Sequence, residues 1–148
     1  MNSLTFTIPG QPVAKGRPKF ARQGGFVRAY TPEKTVAYET LVKLAAGEAM
    51  AGAAPMQGPL ALLLLLYVQI PKSTTKRDRA AIEAGRFLPT KKPDIDNVLK
   101  AITDAMNGIV YLDDAQIVTV TVTKIYADTP RAEVRVTATH AALEQKAA

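Results

Sequence analysis

The chain has 148 residues, 47% of them hydrophobic, so it is long enough to bury a sizeable core, and we expect a single domain over residues 1–148. Its formal net charge of +6 suits a polyanionic partner such as nucleic acid, although the same balance also serves solubility. The absence of cysteine excludes disulfides, thiolate metal ligands and a cysteine nucleophile, and it agrees with a cytoplasmic location. We see no signal peptide, and the most hydrophobic run, residues 60–70, is shorter than the ~20 residues that cross a bilayer, so we expect no membrane association.

A strand and a basic loop are predicted at the start of the chain. Apolar residues alternate with threonines over residues 4–8, which is typical of a half-buried strand. Residues 11–30 show no sustained periodicity and carry five bases, so we expect a basic loop that can include a hairpin around Gly24 and Gly25.

A long helix and a central strand come next. Thr31 as N-cap and Pro32 at the first helical position predict a helix that runs to about residue 51, with Gly52 as its stop. The apolar face expected of this helix consists of Val36, Tyr38, Leu41, Val42, Leu44 and Ala45. The leucine-rich run 60–70 is compatible with a helix, but the prolines that flank it favour a central strand buried on both faces.

Two more helices are predicted in the middle of the chain. Residues 71–92 form a second basic segment, with seven bases against two acids, and contain a short predicted helix over residues 75–84. The second helix is predicted over residues 96–106. The residues expected to cap these helices are Ser73 or Thr74 and Gly85 for the first, and Asn107 with Gly108 at the end of the second. The apolar face expected of the second helix consists of Ile95, Leu99, Ile102 and Met106.

Two strands are predicted to close the fold. Residues 109–112 should return the chain in extended form, and residues 116–126 and 132–139 then alternate between apolar and polar side chains. We expect these two strands to pair as an antiparallel hairpin. The remainder is expected to be a short helical or frayed tail in which His140 has no functional role. The order of elements predicts a mixed α/β (α+β) domain with helices packed on a small sheet.

The charge pattern is inverted between residues 93 and 116. Five of the chain's 13 acidic residues lie there, with Lys100 as the only base. The five acids are Asp94, Asp96, Asp104, Asp113 and Asp114. Residues four apart share a helix face, so Asp96, Lys100 and Asp104 are expected to form one polar stripe. A chain reversal after the helix can bring the Asp113–Asp114 pair back towards the start of the helix.

Converging carboxylates in this acidic stretch would repel one another and raise one another's pKa, and the usual relief is a divalent cation. Oxygen ligands without cysteine or clustered histidine select Mg²⁺ or Mn²⁺ over zinc. Such an ion suits phosphodiester hydrolysis, with Lys100 stabilising the charge that develops on the phosphate. The two basic segments hold twelve of the 19 bases and would follow the phosphates of DNA. The candidate DNA contacts are Lys15, Arg17, Lys19, Arg22, Arg28, Lys76, Arg77, Arg79, Lys91 and Lys92.

Each part of this pattern also has an ordinary structural interpretation. Asp96 can be an N-cap with a salt bridge to Lys100, and Asp113–Asp114 can be a simple turn. Asp104 is expected to be structural and paired with Lys100. Two other functions therefore stay open: a junction- or duplex-binding module without catalytic activity, and a Mg²⁺-dependent nuclease that acts on flaps or other branched DNA.

The acidic stretch resembles the signature of a known family. The RusA family of Holliday junction resolvases has a motif that is similar to Pro93-Asp94-Ile95-Asp96-Asn97, Lys100, Asp104-Ala105-Met106-Asn107-Gly108 and Asp113-Asp114-Ala115-Gln116. The N-terminal part of phage-type members is similar to Lys15-Gly16-Arg17-Pro18-Lys19-Phe20 and Tyr30-Thr31-Pro32. The order of elements and the length agree over essentially the whole chain.

This resemblance implies a RusA-like fold and a homodimeric, Mg²⁺-dependent endonuclease, with Mn²⁺ as a substitute ion. It implies that branched double-stranded DNA is the partner, and that four-way junctions are resolved by paired symmetric nicks in recombination and repair, without a nucleotide cofactor. By position, the resemblance makes Asp94, Asp96 and Asp114 the metal ligands and Lys100 the required lysine. The residues expected to support them are Asp113, Asp104 and Asn97.

The chain departs from some members of the family just before the first aspartate. Those members have arginine there, whereas this chain has Pro93 preceded by Lys91 and Lys92.

A two-fold dimer is also expected on physical grounds, because one small site cannot cut two opposed strands at once. The candidate dimer surfaces are residues 60–70 and the apolar faces of the predicted C-terminal hairpin.

Overall fold

The computed structural model describes residues 1–139 and shows a mixed α+β domain, as predicted. The strands are β1 (Ser3–Pro9), β2 (Lys19–Gln23), β3 (Phe26–Tyr30), β4 (Leu60–Gln69), β5 (Ile117–Ala127) and β6 (Arg131–Ala138). The helices are α1 (Glu33–Met50), α2 (Lys76–Glu83) and α3 (Ile95–Met106), and a short 3-10 turn spans Asp114–Gln116. His140 and the predicted C-terminal tail lie outside the described residues.

The main sheet has the strand order β1-β6-β4-β5, so the predicted hairpin of the last two strands is wrong. Strand β4 lies between them, parallel to β5 and antiparallel to β6. The connection from Ala127 to Arg131 therefore passes the end of β4, where the Ile70 N–H donates to the Ala127 carbonyl at 3.2 Å. The most apolar strand of the chain thus gains a partner on each side, and the alternation of β5 and β6 suits this arrangement as well as it suits a hairpin.

Strand β4 is buried on one face rather than on both. Its even-numbered leucines, Leu60, Leu62, Leu64 and Leu66, are at most 2% exposed. They belong to the same core as buried residues of α1, α3, β1 and β6. The alternate side chains of Leu63 and Leu65 are only partly buried, and they line a shallow groove with Thr5, Glu133 and Arg135. The prediction of a strand is confirmed, and the prediction of two fully buried faces is wrong because both helices of the core lie on one side.

Helix α1 buries a face that overlaps the predicted one, since Tyr38 and Val42 are buried and Leu41 and Ala45 pack against the core. Its buried residues are Thr35, Tyr38, Val42, Ala46 and Met50. This spacing of three and four residues places one stripe against the sheet, so Val36 and Leu44 lie outside the stripe and are 48% and 62% exposed. Pro32, not Thr31, occupies the N-cap position, and no side chain caps the helix there. The helix ends as expected at residues 51 and 52, which both have positive φ.

Helix α2 is short and has no buried residue. Its N-cap is Thr75 rather than Ser73 or Thr74, and the Thr75 hydroxyl accepts a hydrogen bond from the Asp78 N–H at 3.1 Å. Gly85 follows the helix with φ +73°, as the predicted stop requires. Among residues 1–139, no helix is both long enough and apolar enough to span a membrane.

Candidate active site

Helix α3 presents the first two aspartates of the acidic stretch to solvent. It buries Val98, Ala101, Ile102, Ala105 and Met106, whereas the predicted core residue Ile95 is 38% exposed. Asp94, Asp96 and Lys100 are all exposed. Asp94 takes the N-cap position, so the interpretation of Asp96 as N-cap is wrong. The Asp94 carboxylate accepts a hydrogen bond from Asn97 Nδ2 at 3.3 Å, and the supporting role of Asn97 in catalysis stays a prediction.

The segment that leads into α3 is held by a lysine that sequence reasoning missed. Lys124 Nζ, on β5, donates to the carbonyls of Lys91 at 2.8 Å and Pro93 at 2.9 Å. These bonds fix the backbone immediately before Asp94. The sequence did contain a signal for this role of Lys124. In the alternating pattern of β5, this lysine falls on the same face as the apolar residues Val120, Val122 and Tyr126, where a charged side chain needs a partner.

The last two aspartates lie at the other end of α3. The Asp114 N–H donates to Asn107 Oδ1 at 2.9 Å, which ties the acidic turn to the end of the helix. Gln116 completes the turn, because its Oε1 accepts the backbone N–H groups of Leu112 and Asp113 at 3.0 and 3.2 Å. Its Nε2 donates to the carbonyls of residues 56 and 58, immediately before β4. The spacing of Asp113 and Gln116 is that of a capping box, so the bond to the Asp113 N–H had a signal in the sequence, whereas the bonds to residues 56 and 58 had none.

Residues 109–112 form a tight turn instead of the extended return that was predicted. The Val110 N–H donates to the Met106 carbonyl at 3.0 Å, and the Gly108 N–H donates to the Tyr111 carbonyl at 2.7 Å. Tyr111 is fully buried, and its hydroxyl donates to the Thr103 carbonyl at 2.7 Å. The buried ring thus pulls the chain back against α3, and the acidic turn stays beside the last turn of the helix.

Asp104, Asp113 and Asp114 form the densest group of negative charge at this end. Partial burial raises the pKa of Asp114, and the neighbouring carboxylates of Asp113 and Asp104 raise it further through hydrogen bonding and charge repulsion. This mutual repulsion is what the sequence predicted for converging carboxylates. The set that converges is nevertheless Asp104, Asp113 and Asp114, without Asp94 or Asp96.

Asp104 is paired with Lys15, so its predicted pairing with Lys100 is wrong. Lys15 Nζ lies 2.6 Å from Asp104 Oδ2 and 3.0 Å from Glu39 Oε1. Burial lowers the pKa of Lys15, but hydrogen bonds and attraction from the two carboxylates outweigh it, so the net pKa is raised. Lys15 is therefore engaged within the fold, although the sequence suggested a contact with DNA. Lys100 forms no ion pair with any residue of the described chain.

The three predicted metal ligands do not meet within one chain. Helix α3 has 12 residues, which is about 18 Å at ~1.5 Å per residue, and it holds Asp94 and Asp96 at one end and Asp114 at the other. Over residues 1–139, no three acidic or histidine side chains are arranged to hold a metal ion. The donor chemistry suits Mg²⁺ or Mn²⁺, since every candidate ligand is a carboxylate oxygen. The geometry of one chain supplies only part of a ligand set.

The remaining basic candidates are on the surface. The DNA-contact candidates that are exposed are Arg17, Lys19, Arg22, Arg28, Lys76, Arg77, Arg79, Lys91 and Lys92. Arg79 forms an ion pair with Asp128 at 3.1 Å. Lys91 and Lys92 are separated from Asp94 only by Pro93, so two positive charges lie close in sequence to the exposed aspartates of α3.

The fold and these residues define a basic α+β protein. It carries exposed aspartates on a rigid helix and has two basic segments, residues 11–30 and 71–92, a combination that is typical of enzymes that process nucleic acids. The chain matches the family model described as Endodeoxyribonuclease RusA over residues 9–137. It therefore belongs to the RusA endodeoxyribonuclease family, as its acidic motif predicted, and the expectation of a nuclease that acts on DNA is supported. The chain is also similar to the "Uncharacterized protein YqaN" of Bacillus subtilis (strain 168), with 36% identity over 138 residues, which cover 92% of this chain and 96% of the relative.

Proposed function

We propose that the protein is a Mg²⁺-dependent, homodimeric endonuclease that resolves four-way DNA junctions by paired symmetric nicks in recombination and repair. The observation that carries this proposal is the start of α3, where Asp94, Asp96 and Lys100 are all exposed and where Pro93 alone separates Asp94 from the exposed Lys91 and Lys92. Membership of the RusA family gives this arrangement its substrate class. Within residues 1–139, none of these three side chains is engaged in an ion pair, so all three are accessible to an ion or a phosphate.

Asp94, Asp96 and Asp114 are the proposed ligands of the ion. A bound Mg²⁺ would polarise the scissile phosphate and lower the pKa of an attacking water. Asn97 and Lys124 orient the backbone and carboxylate at Asp94, and Asn107 and Gln116 hold the turn that carries Asp114. Lys100 lies one helical turn after Asp96 and binds the phosphate, where its charge offsets the negative charge of the transition state.

The dimer completes the proposed site. Because α3 keeps Asp96 and Asp114 at opposite ends, the fold of one chain does not close the ligand set. In a two-fold dimer, Asp114 of one chain can meet Asp94 and Asp96 of its partner, and the second site follows by symmetry. Two such sites match the two strands of like polarity in a four-way junction. The partly exposed Leu63 and Leu65 of β4 lie on the sheet face away from α3, so the dimer contact that joins the ends of two α3 helices involves another surface.

A second candidate function is a DNA-binding module without catalytic activity. The observation that favours it is the separation of Asp94 and Asp96 from Asp114, which leaves each end of α3 with an incomplete ligand set. Under this alternative, the basic surface binds junctions or duplexes and the aspartates serve only the local structure.

The test compares binding and cleavage of the same synthetic four-way junction. The wild type should nick the junction in Mg²⁺ and bind it without turnover in Ca²⁺, whose looser coordination positions water poorly. Asp94→Asn should abolish nicking. It should keep or tighten binding, because one negative charge near the phosphate is lost. Glu48→Gln, on the exposed face of α1, serves as the control. Stable binding without nicking by the wild type would favour the non-catalytic module. Competition of the junction with flaps and single strands would distinguish a junction resolvase from a nuclease that prefers those other structures.

A further inference from the structure

Strands β2 and β3 form a two-stranded hairpin that stands apart from the core. Every residue of both strands is exposed, and the two strands pair only with each other. The apolar side chains at its end and on its faces are among the most exposed of the described chain: Phe20 is 71% exposed, Phe26 78%, Val27 68% and Tyr30 47%. A hairpin with two solvated faces gains nothing from the core, so these aromatic residues are not explained by folding.

Aromatic and basic residues alternate on the hairpin. Cross-strand partners share a face, so one face carries Lys19 opposite Tyr30, Ala21 opposite Arg28 and Gln23 opposite Phe26. The other face carries Phe20 opposite Ala29 and Arg22 opposite Val27. Residues 11–32 contain no acidic residue at all. Association of two such hairpins would bring like charges together, whereas a polyanion with exposed bases satisfies both residue types.

The base of the hairpin is anchored beside the proposed active site. The Lys15 N–H donates to the Asn97 carbonyl in the first turn of α3 at 2.9 Å, and the Gly16 N–H donates to Thr35 Oγ1 at 2.9 Å. Gly16, before β2, packs so closely on Pro32, after β3, that a Cβ at Gly16 would lie 2.8 Å from the proline Cγ. The two ends of the hairpin are thus held together next to Asp94 and Asp96, while the tip at Gly24 and Gly25 projects away.

We infer that the hairpin is a stacking wedge for unpaired bases at the branch point of DNA, with Phe26 and Phe20 as the stacking side chains and Lys19, Arg22 and Arg28 as the phosphate contacts. This inference deepens the proposed function and rests on it, because the hairpin would open the junction beside the strand to be cut. Apolar side chains that insert between base steps unstack them, and aromatic side chains compensate by stacking on the freed bases. Phe26 adjoins the turn, and it is the most exposed of the hairpin's aromatic residues, so it should enter the branch point first.

The test uses the full-length protein and a four-way junction with 2-aminopurine at the branch point, in Ca²⁺ so that no strand is cut. Saturating wild type should raise the 2-aminopurine fluorescence, because the base loses its stacking neighbours. Phe20→Ala/Phe26→Ala should lose most of this rise and bind the junction at least about thirtyfold more weakly, as expected when two stacking contacts are lost. Phe26→Trp should retain the rise, and Val27→Ala, which removes an equally exposed apolar side chain, should behave as wild type.

Three outcomes would overturn the inference. The first is an undiminished fluorescence rise at saturation with Phe20→Ala/Phe26→Ala. The second is a rise lost equally with Val27→Ala. The third is a change of oligomeric state in sedimentation, with the wild type a dimer and Phe20→Ala/Phe26→Ala a monomer. This result would make the hairpin a contact between protein chains. Nicking of the same junction in Mg²⁺ is measured separately, so that failure of the nuclease and failure of the wedge are distinguishable.

Discussion

The ammonium nitrogen of Lys15 lies 2.6 Å from the carboxylate of Asp104, across the gap between the first loop and α3. Both side chains are partly buried, at 23% and 27% exposure, and Glu39 of α1 accepts from the same nitrogen at 3.0 Å. One lysine therefore joins the loop, α1 and α3. It also neutralises the carboxylate closest in sequence to the end of the helix, where Asp113 and Asp114 add two more negative charges.

Replacing Lys15 with alanine should destabilise the fold. The substitution leaves Asp104 beside two other carboxylates without a counter-charge, so we expect the free energy of unfolding to fall by about 1–3 kcal/mol. Urea denaturation of Lys15→Ala measures this loss, with Lys34→Ala on the exposed face of α1 as the matched control. Equal stability of the two variants would show that the ion pair contributes nothing.

The same lysine should contribute little to the salt dependence of DNA binding. Each Lys or Arg that contacts a phosphate contributes about 0.9 to the slope of log affinity against log salt concentration. Lys19→Ala and Arg28→Ala should therefore each lower the slope by about that amount, whereas Lys15→Ala should leave it unchanged, because Lys15 is engaged by Glu39 and Asp104. A reduced slope for Lys15→Ala would restore its assignment as a phosphate contact.

The contribution of Lys15 to stability should disappear at high pH. The folded-state pKa of Lys15 is raised above its usual 10.5, so its stabilising effect is complete below that pH and is lost as the pH rises through the raised value. The difference in free energy of unfolding between wild type and Lys15→Met should be constant from pH 7 to pH 9 and narrow above about pH 10.5. A difference that narrows already below pH 9 would contradict this account.

A mixture of two inactive variants tests where the metal ligands come from. Asp94→Asn and Asp114→Asn should each reduce junction nicking by about a thousandfold or more, because each removes a metal ligand. If Asp114 serves the partner's site, a heterodimer of the two variants contains one site with all its ligands and should nick one strand. If each chain forms its own site, the heterodimer has no intact site and stays inactive. Nicking kinetics of co-expressed, differently tagged chains distinguish the two results.

Elements with a strong local signal were predicted well from the sequence. Helix α3 starts one residue before the predicted residue 96 and ends where Asn107 and Gly108 indicate. The hairpin at Gly24 and Gly25 was also anticipated, since only these glycines allow the positive φ angles of its turn, +51° and +86°. In both cases, residues close in the sequence determine the conformation.

Features that depend on distant parts of the chain could not be read in this way. The alternation of β5 and β6 determines which faces are buried, but it does not reveal that β4 separates them. Asp104 and Lys100 satisfy the spacing of a helical ion pair, yet Lys15, 89 residues away from Asp104, forms that contact instead. The motif identified the aspartates and the family, whereas their separation along α3 required the structure.

The central claim is that Asp94, Asp96 and Asp114 bind one catalytic ion. Anomalous diffraction from crystals soaked in Mn²⁺ tests it most directly. We predict one anomalous peak per chain within about 2.3 Å of carboxylate oxygens from Asp94 and Asp96 of one chain and from Asp114 of its partner. Absence of any peak, or a peak bound only by Asp104, Asp113 and Asp114 with Asp94 and Asp96 uninvolved, would contradict it.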